Sequence, residues 1–247
     1  MPDLMTIPAE SFRTDAALLR ELHELATPSY EDPSALLARD AAHCDKLYLA
    51  RDADGKLTCF FFAGWETVAV PAQEELPALY LGFSAARQDV KAGGHAGLLY
   101  HRCITAAYEW EREQRRKLIL WGTTATPTVY RYVHAFLAEV EPRLDGSYSP
   151  SGAEFAQALR RKLAPQSGAS AHPFVLKNVA HATRYARAEV ERLDRITQTT
   201  AFSLFHELGV DEANGDRLLF LARTPDKLSF DPARQMNGKP QEAGAIR

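Results

Sequence analysis

Leu79-Tyr80-Leu81-Gly82-Phe83-Ser84, then a polar connection, then Lys91-Ala92-Gly93-Gly94-His95-Ala96-Gly97-Leu98-Leu99-Tyr100: this stretch decides the fold. Its first part is apolar and aromatic and reads as a strand. Its second part is a glycine-rich turn opening into an amphipathic helix, with Leu99, Cys103, Ala106 and Trp110 at helical spacing. Strand, glycine turn and helix start together make an anion cradle. Glycines let backbone N–H groups approach a phosphate closely, and the first helical turn adds unpaired N–H groups at the positive end of the dipole. The stretch therefore predicts a diphosphate-bearing ligand at a strand-to-helix junction.

Two common phosphate loops do not fit. Gly93, Gly94 and Gly97 have the wrong spacing for G-x-G-x-x-G, and no Gly-Lys-Ser/Thr follows them. The chain has 247 residues, 46% hydrophobic and 25% charged, enough for a sizeable core. A formal net charge of −3, with acids and bases interleaved, gives no basic stripe and speaks against a nucleic-acid partner. Cys44, Cys59 and Cys103 form no Cys-x-x-Cys pair, so neither a zinc site nor a disulfide framework is expected, and no metal is predicted. Asp52-x-Asp54-Gly55 lacks the remaining ligands of a calcium loop and reads as a hairpin turn. No apolar run approaches a membrane span and no basic-then-apolar leader opens the sequence; the expectation is a cytoplasmic protein without a membrane partner.

Working outward from the decisive stretch, Thr14 to Leu25 reads as a helix with Leu18, Leu22 and Leu25 on one face and a cap at Thr14 or Asp15. Ser34 to Ala42 is a second short helix. Lys46 to Arg51 and Lys56 to Trp65, around Asp-Gly, make a hairpin. Residues 77–84 form the third strand, and the helix from Gly94 runs to about Arg116, ending in Arg112, Arg115, Arg116 and Lys117. Leu118 to Trp121 is a strand. Thr126 caps and Pro127 starts a further helix that continues from Val129 to Val140 and stops at Pro142. Beyond it, residues 151–163 and 181–208 read as helical, the latter interrupted near Thr197–Thr200. Phe174 to Leu176 and Asp216 to Ala222 read as strands. The Gly-, Pro-, Gln- and Asn-rich tail, 231–247, is expected to be flexible.

Lys91-x-x-Gly94-x-Ala96 stands in the register of the Arg/Gln-x-x-Gly-x-Gly/Ala signature, with lysine in place of the usual arginine or glutamine. With this motif, the order helix, hairpin, strand, glycine turn, long helix, strand, helix, strand resembles the GCN5-related N-acetyltransferases (GNAT) over roughly residues 1–225, most closely over 46–137. The resemblance implies an α/β (α+β) fold: a mixed, mostly antiparallel central sheet flanked by helices, with a splayed parallel strand pair. By analogy that pair is 77–84 and 118–121. One domain over 1–230, its C-terminal half elaborated from about 143, is expected.

The resemblance also implies a chemistry. An acyl group would pass from acetyl-coenzyme A, or another acyl-coenzyme A, to a small-molecule or peptide amine by direct attack in a ternary complex. Gly93, Gly94 and Ala96 would offer N–H groups to the pyrophosphate, with Lys91 adding charge and His95 a contact from the helix start. Backbone near Phe83 and Ser84 would orient the thioester. Tyr130, in a segment resembling the family's later Asn-x-x-Ala-x-x-x-Tyr run without its asparagine, would protonate the departing thiolate. Glu66 is the candidate base, with Tyr80, His101 and His134 nearby in sequence. Each has a structural alternative: a tight turn for the glycines, a core-edge tyrosine for Tyr130, surface roles for the histidines. Cys103 falls on the apolar stripe, which favours a buried inert thiol over an acyl-cysteine. Phe60-Phe61-Phe62, Trp65, Phe202 and Phe205 are core or the lining of a long-chain acyl pocket. Two other readings stay open: a long-chain transferase using acyl carrier protein, docked at the Arg112–Lys117 cations, and a non-catalytic ligand-binding module.

Overall fold

A computed structural model describes residues 2–70, 75–91, 94–163, 170–180, 184–198 and 204–226. The chain opens with an edge strand, β1 (Asp3–Pro8), followed by the short α1 (Ala9–Phe12), α2 (Ala16–Ala26) and α3 (Pro33–His43). The long hairpin of β2 (Lys46–Arg51) and β3 (Leu57–Val68) leads to β4 (Leu76–Ala86), α4 (His95–Gln114) and β5 (Ile119–Thr124). Then come α5 (Pro127–Phe136), β6 (Ala138–Glu141), α6 (Pro150–Leu163), β7 (Val175–Leu176), α7 (Arg187–Gln198), α8 (Leu204–Glu207) and β8 (Arg217–Arg223). The eight strands make one sheet in the order β1-β2-β3-β4-β5-β8-β6, with β7 also paired to β8.

Local chemistry accounts for the boundaries. Asp15 accepts hydrogen bonds from the N–H groups of Ala17 and Leu18 to start α2. Asp52 accepts from Asp54 and Lys56 N–H to close the hairpin turn. Thr126 caps α5 by accepting from Val129 N–H, with Pro127 in the first turn. α4 packs Leu99 and Cys103 on one face of the sheet against Phe61, Leu79 and Leu81. α2 and α3 lay Leu18, Leu22, Leu36 and Leu37 on the other face against Leu49, Phe60 and Phe62.

Among the described residues every strand pairing is antiparallel except one: β4 and β5 are parallel, with Ala78 to Leu81 opposite Ile119 to Gly122. This is the mostly antiparallel, helix-flanked sheet with a parallel pair that the resemblance implies. Three expectations need correction. The order opens with a strand, β1, because Asp3 to Pro8 pairs with β2 as a largely exposed edge that carries no apolar alternation to read. The helix expected to reach Val140 ends at Phe136: Leu137 is already extended, and Ala138 to Glu141 pairs with the outer edge of β8. Of the stripe expected on α4, Leu99 and Cys103 are buried, but Ile104 and Ala107 complete the buried face, while Ala106 and Trp110 are half-buried. Phe202 and the tail 231–247 lie outside the described residues.

Candidate functional site

β4 leaves β5 at a defined point. Their rungs stop at Leu81 opposite Gly122, although β4 continues to Ala86; Thr123 and Thr124 keep only the pairing with β8 that β5 makes from Leu120 onward. At the same point β4 carries a bulge. Phe61 faces Ser84 and Ala63 faces Leu81, so between these rungs Phe62 alone on β3 opposes two residues on β4, Gly82 and Phe83, one of them extra. A one-residue insertion flips the faces. Leu79 and Leu81 accordingly pack with α4, whereas Phe83 and Ala85 pack with α2 and α3.

The bulge aims the Phe83 N–H at a side chain that sequence reading missed. Asp40, on α3 and 1% exposed, accepts from it at 2.6 Å. The other carboxylate oxygen of Asp40 accepts from Arg39 Nε at 2.7 Å, and Arg39 Nη2 donates to the Tyr80 hydroxyl at 3.1 Å. A buried carboxylate needs such partners, since an unpaired one carries a large desolvation cost. Gly82 fits here because a Cβ would lie 2.7 Å from Asp40 Oδ2. Beside this cluster, the Tyr80 ring lies 4.5 Å from that of Trp121, directly across the parallel pair. Trp121 Nε1 donates to Glu66 at 2.6 Å, and Glu66 also pairs with Lys162 of α6. Burial pushes the Tyr80 phenol well above its ordinary range.

Beyond the bulge, the other predicted residues line up along the open edge. The Ser84 carbonyl accepts from the Tyr30 hydroxyl at 3.3 Å, and its hydroxyl lies 3.4 Å from that of Tyr100. The Tyr30 ring packs edge-on against Phe83 at 4.8 Å. Lys91 Nζ donates to Glu189 at 2.6 Å and to Ser29 at 2.9 Å. Burial lowers the Lys91 ammonium below its ordinary range, against the Glu189 carboxylate, which raises it. Gly94 is left-handed (φ 74°) at the N-terminus of the 20-residue α4, a conformation glycine adopts without cost. His95 follows, its Nδ1 3.0 Å from Thr58 Oγ1, and Ala96 is half-buried against the core. Gly93 lies outside the described residues.

The structure thus brings together Phe83, Ser84, Lys91, Gly94, His95 and Ala96 along the end of β4 and the start of α4. Glu66 sits on the same sheet face as Tyr80 and Trp121, with its oxygens held by Trp121 and Lys162. Tyr130 is fully buried in α5: its hydroxyl donates to the Pro142 carbonyl, and its ring packs on His134 and Phe205. His101 lines a different groove of about 550 Å³, between α4 and the first two strands. Cys103 is 1% exposed and burial pushes its thiol up to about 12, which suits an inert side chain. Phe60, Phe61 and Phe62 are fully buried core. The signal for Asp40 was present in α3, where it continues the apolar stripe of Leu36 and Leu37. Tyr30, Tyr185 and Glu189 gave none.

Among solved structures, the chain resembles a conserved protein of unknown function from Enterococcus faecalis, a probable N-acyltransferase, with a TM-score of 0.39 and 12% identity over 53% of this chain. It covers only 31% of that protein. It also resembles the N-acetyltransferase YhbS of Escherichia coli, solved with CoA (TM-score 0.39, 15% identity, 53% of this chain and 66% of that one). A third is the HPA2-related acetyltransferase of Corynebacterium glutamicum (TM-score 0.39, 13% identity, 55% and 83%). No protein-family model matches the chain, and no curated protein does.

Proposed function

We propose that the chain is an acyltransferase that moves an acyl group from a coenzyme A thioester to an amine acceptor. One observation carries this: a parallel strand pair that parts at a bulge, immediately followed by a left-handed glycine at the start of a long helix. A parting parallel pair leaves strand edges for the amides of an extended pantetheine-like arm to pair with. The end of β4 delivers that arm to the N–H groups of α4, where a diphosphate is favoured by both dipole and hydrogen bonding.

In this reading Gly94 and Ala96 hold the diphosphate, with Gly93 and His95 beside them. The acyl carbon sits near the Gly82–Phe83 bulge, and the amine approaches past Tyr80 and Trp121. Glu66 serves as base only after releasing Lys162. Tyr130 serves as acid only by exchanging the Pro142 carbonyl for the thiolate. A second reading, a ligand-binding module without turnover, is favoured by a specific observation. The Phe83 N–H already has the Asp40 carboxylate, in the place where a thioester carbonyl would have to bind.

Turnover separates the two. Free-thiol release from acetyl-coenzyme A and from longer acyl-coenzyme A donors, followed with a panel of small and peptide amines, is expected to exceed hydrolysis with at least one amine. Gly94→Val is expected to weaken coenzyme A binding at least tenfold. Thioester binding without any amine-dependent thiol release would establish the non-catalytic module. Unchanged binding by Gly94→Val would remove the cradle.

A further inference from the structure

The most buried charged cluster beside the glycine turn joins segments 98 residues apart in sequence: Lys91 on one side, Glu189 of α7 on the other. Their side chains are 14% and 6% exposed. Arg192, one turn along α7, holds the same carboxylate through both oxygens, at 2.6 and 3.0 Å. The residues leading into α7 are stitched to the loop after α2. Ala186 N–H donates to the Ser29 carbonyl at 2.9 Å, Glu31 N–H donates to the Arg184 carbonyl at 3.0 Å, and Tyr30 and Tyr185 form an antiparallel bridge with rings 5.1 Å apart. Tyr30 in turn lies on Phe83 and the Ser84 carbonyl. Segment 184–192 is therefore a strap across the open edge of β4.

Resting on the coenzyme A reading above, we propose that this strap is a latch: Glu189 occupies Lys91 as an internal anion, and a phosphate-bearing ligand must displace it to bind. Three features support displacement. Lys91 gives its ammonium to the Glu189 carboxylate, a donor that suits a phosphate oxygen equally well, while the Ser29 hydroxyl accepts from the same ammonium and keeps it in place. Among the described side chains of α7, only Glu189 and Leu193 are buried, so over 187–193 the ion pair is one of two buried anchors that release would give up. At the strap's start, the Nε of Arg184 is buried without a hydrogen-bond partner among the described residues, an unfavourable contact that release would relieve. Glu189 itself is held ionised: burial raises its carboxyl, but hydrogen bonds from Arg192 and Lys91 outweigh this and keep it below the ordinary range.

The test uses the full chain with coenzyme A and inorganic pyrophosphate as probes, reading affinity by calorimetry and the protection of 184–192 by hydrogen exchange. Coenzyme A is expected to strip protection from 184–192 in the unaltered protein. Glu189→Gln is expected to bind both probes at least tenfold more tightly. Tyr185→Ala, which loosens the strap without touching the charge, should shift affinity in the same direction and guards against a misfolded Glu189 variant. Coenzyme A binding with the strap still protected, and both variants within twofold of the unaltered protein, would overturn the latch while leaving the coenzyme A site standing. No binding of either probe by any of the three proteins would overturn the site, and the latch with it.

Discussion

Gly82 and Asp40 form a pair whose coupling can be worked out from the structure. A methyl group at position 82 would lie 2.7 Å from Asp40 Oδ2, 3.0 Å from the Phe62 carbonyl oxygen and 3.0 Å from a Tyr80 ring carbon. Asp40 cannot swing clear without loss, because its oxygens are engaged by Phe83 N–H at 2.6 Å and Arg39 Nε at 2.7 Å inside a site 1% exposed. Gly82→Ala therefore costs about 1–3 kcal/mol for overpacking and part of the roughly 1.5–3 kcal/mol that a hydrogen bond to a charged group contributes, near 3 kcal/mol together. Asp40→Ala leaves a buried N–H and a guanidinium without their acceptor, also about 3 kcal/mol. In the double variant the methyl has no carboxylate to strike, so the combined loss should be about 4 kcal/mol instead of 6, a coupling of about 2 kcal/mol. Urea unfolding of the four proteins, with slopes compared to confirm that stability alone has changed, measures this directly. Losses that add to within about 0.5 kcal/mol would refute the contact and, with it, the bulge as the holder of Asp40.

Other outcomes follow from single groups. Tyr130→Phe should lower stability by about 0.5–1.5 kcal/mol in urea, since the Pro142 carbonyl loses its hydroxyl donor; thiol release slowed far more than binding would in addition mark Tyr130 as the acid. Burial lowers the imidazoles of His95, His101, His134 and His172. A lowered folded value means that the unfolded chain takes up protons first as pH falls below about 6.5. Stability should therefore be full above that pH and decline below it until the folded histidines titrate, and His134→Gln should flatten the slope of midpoint against pH. Gly94→Ala should cost about 1–2 kcal/mol, because its left-handed backbone penalises a Cβ.

What the sequence revealed depended on how local each signal was. The Asp52–Gly55 hairpin, the Asp15 cap and the Thr126-Pro127 helix start are written in adjacent residues, and all three formed. The glycine turn was legible because a left-handed helix start demands glycine whatever surrounds it. β1 and β6 were missed because each is an edge strand whose partner supplies the hydrogen bonds, with little apolar alternation of its own. The Lys91–Glu189 pair was unreadable for a different reason: no local pattern marks which carboxylate, 98 residues away, will face a given lysine. Asp40 was the near miss. A charged residue on the buried stripe of a short helix points to a partner inside, and here that partner is the bulge.

Thermal unfolding of the unaltered protein and of Glu189→Gln, each with and without saturating coenzyme A, tests the central claim most directly. At about 100 times its dissociation constant the ligand should add roughly 2.7 kcal/mol and raise the midpoint by a few degrees. The account predicts a rise in both proteins, reached at a lower coenzyme A concentration in the variant. An unchanged midpoint in both, at millimolar coenzyme A, would contradict it.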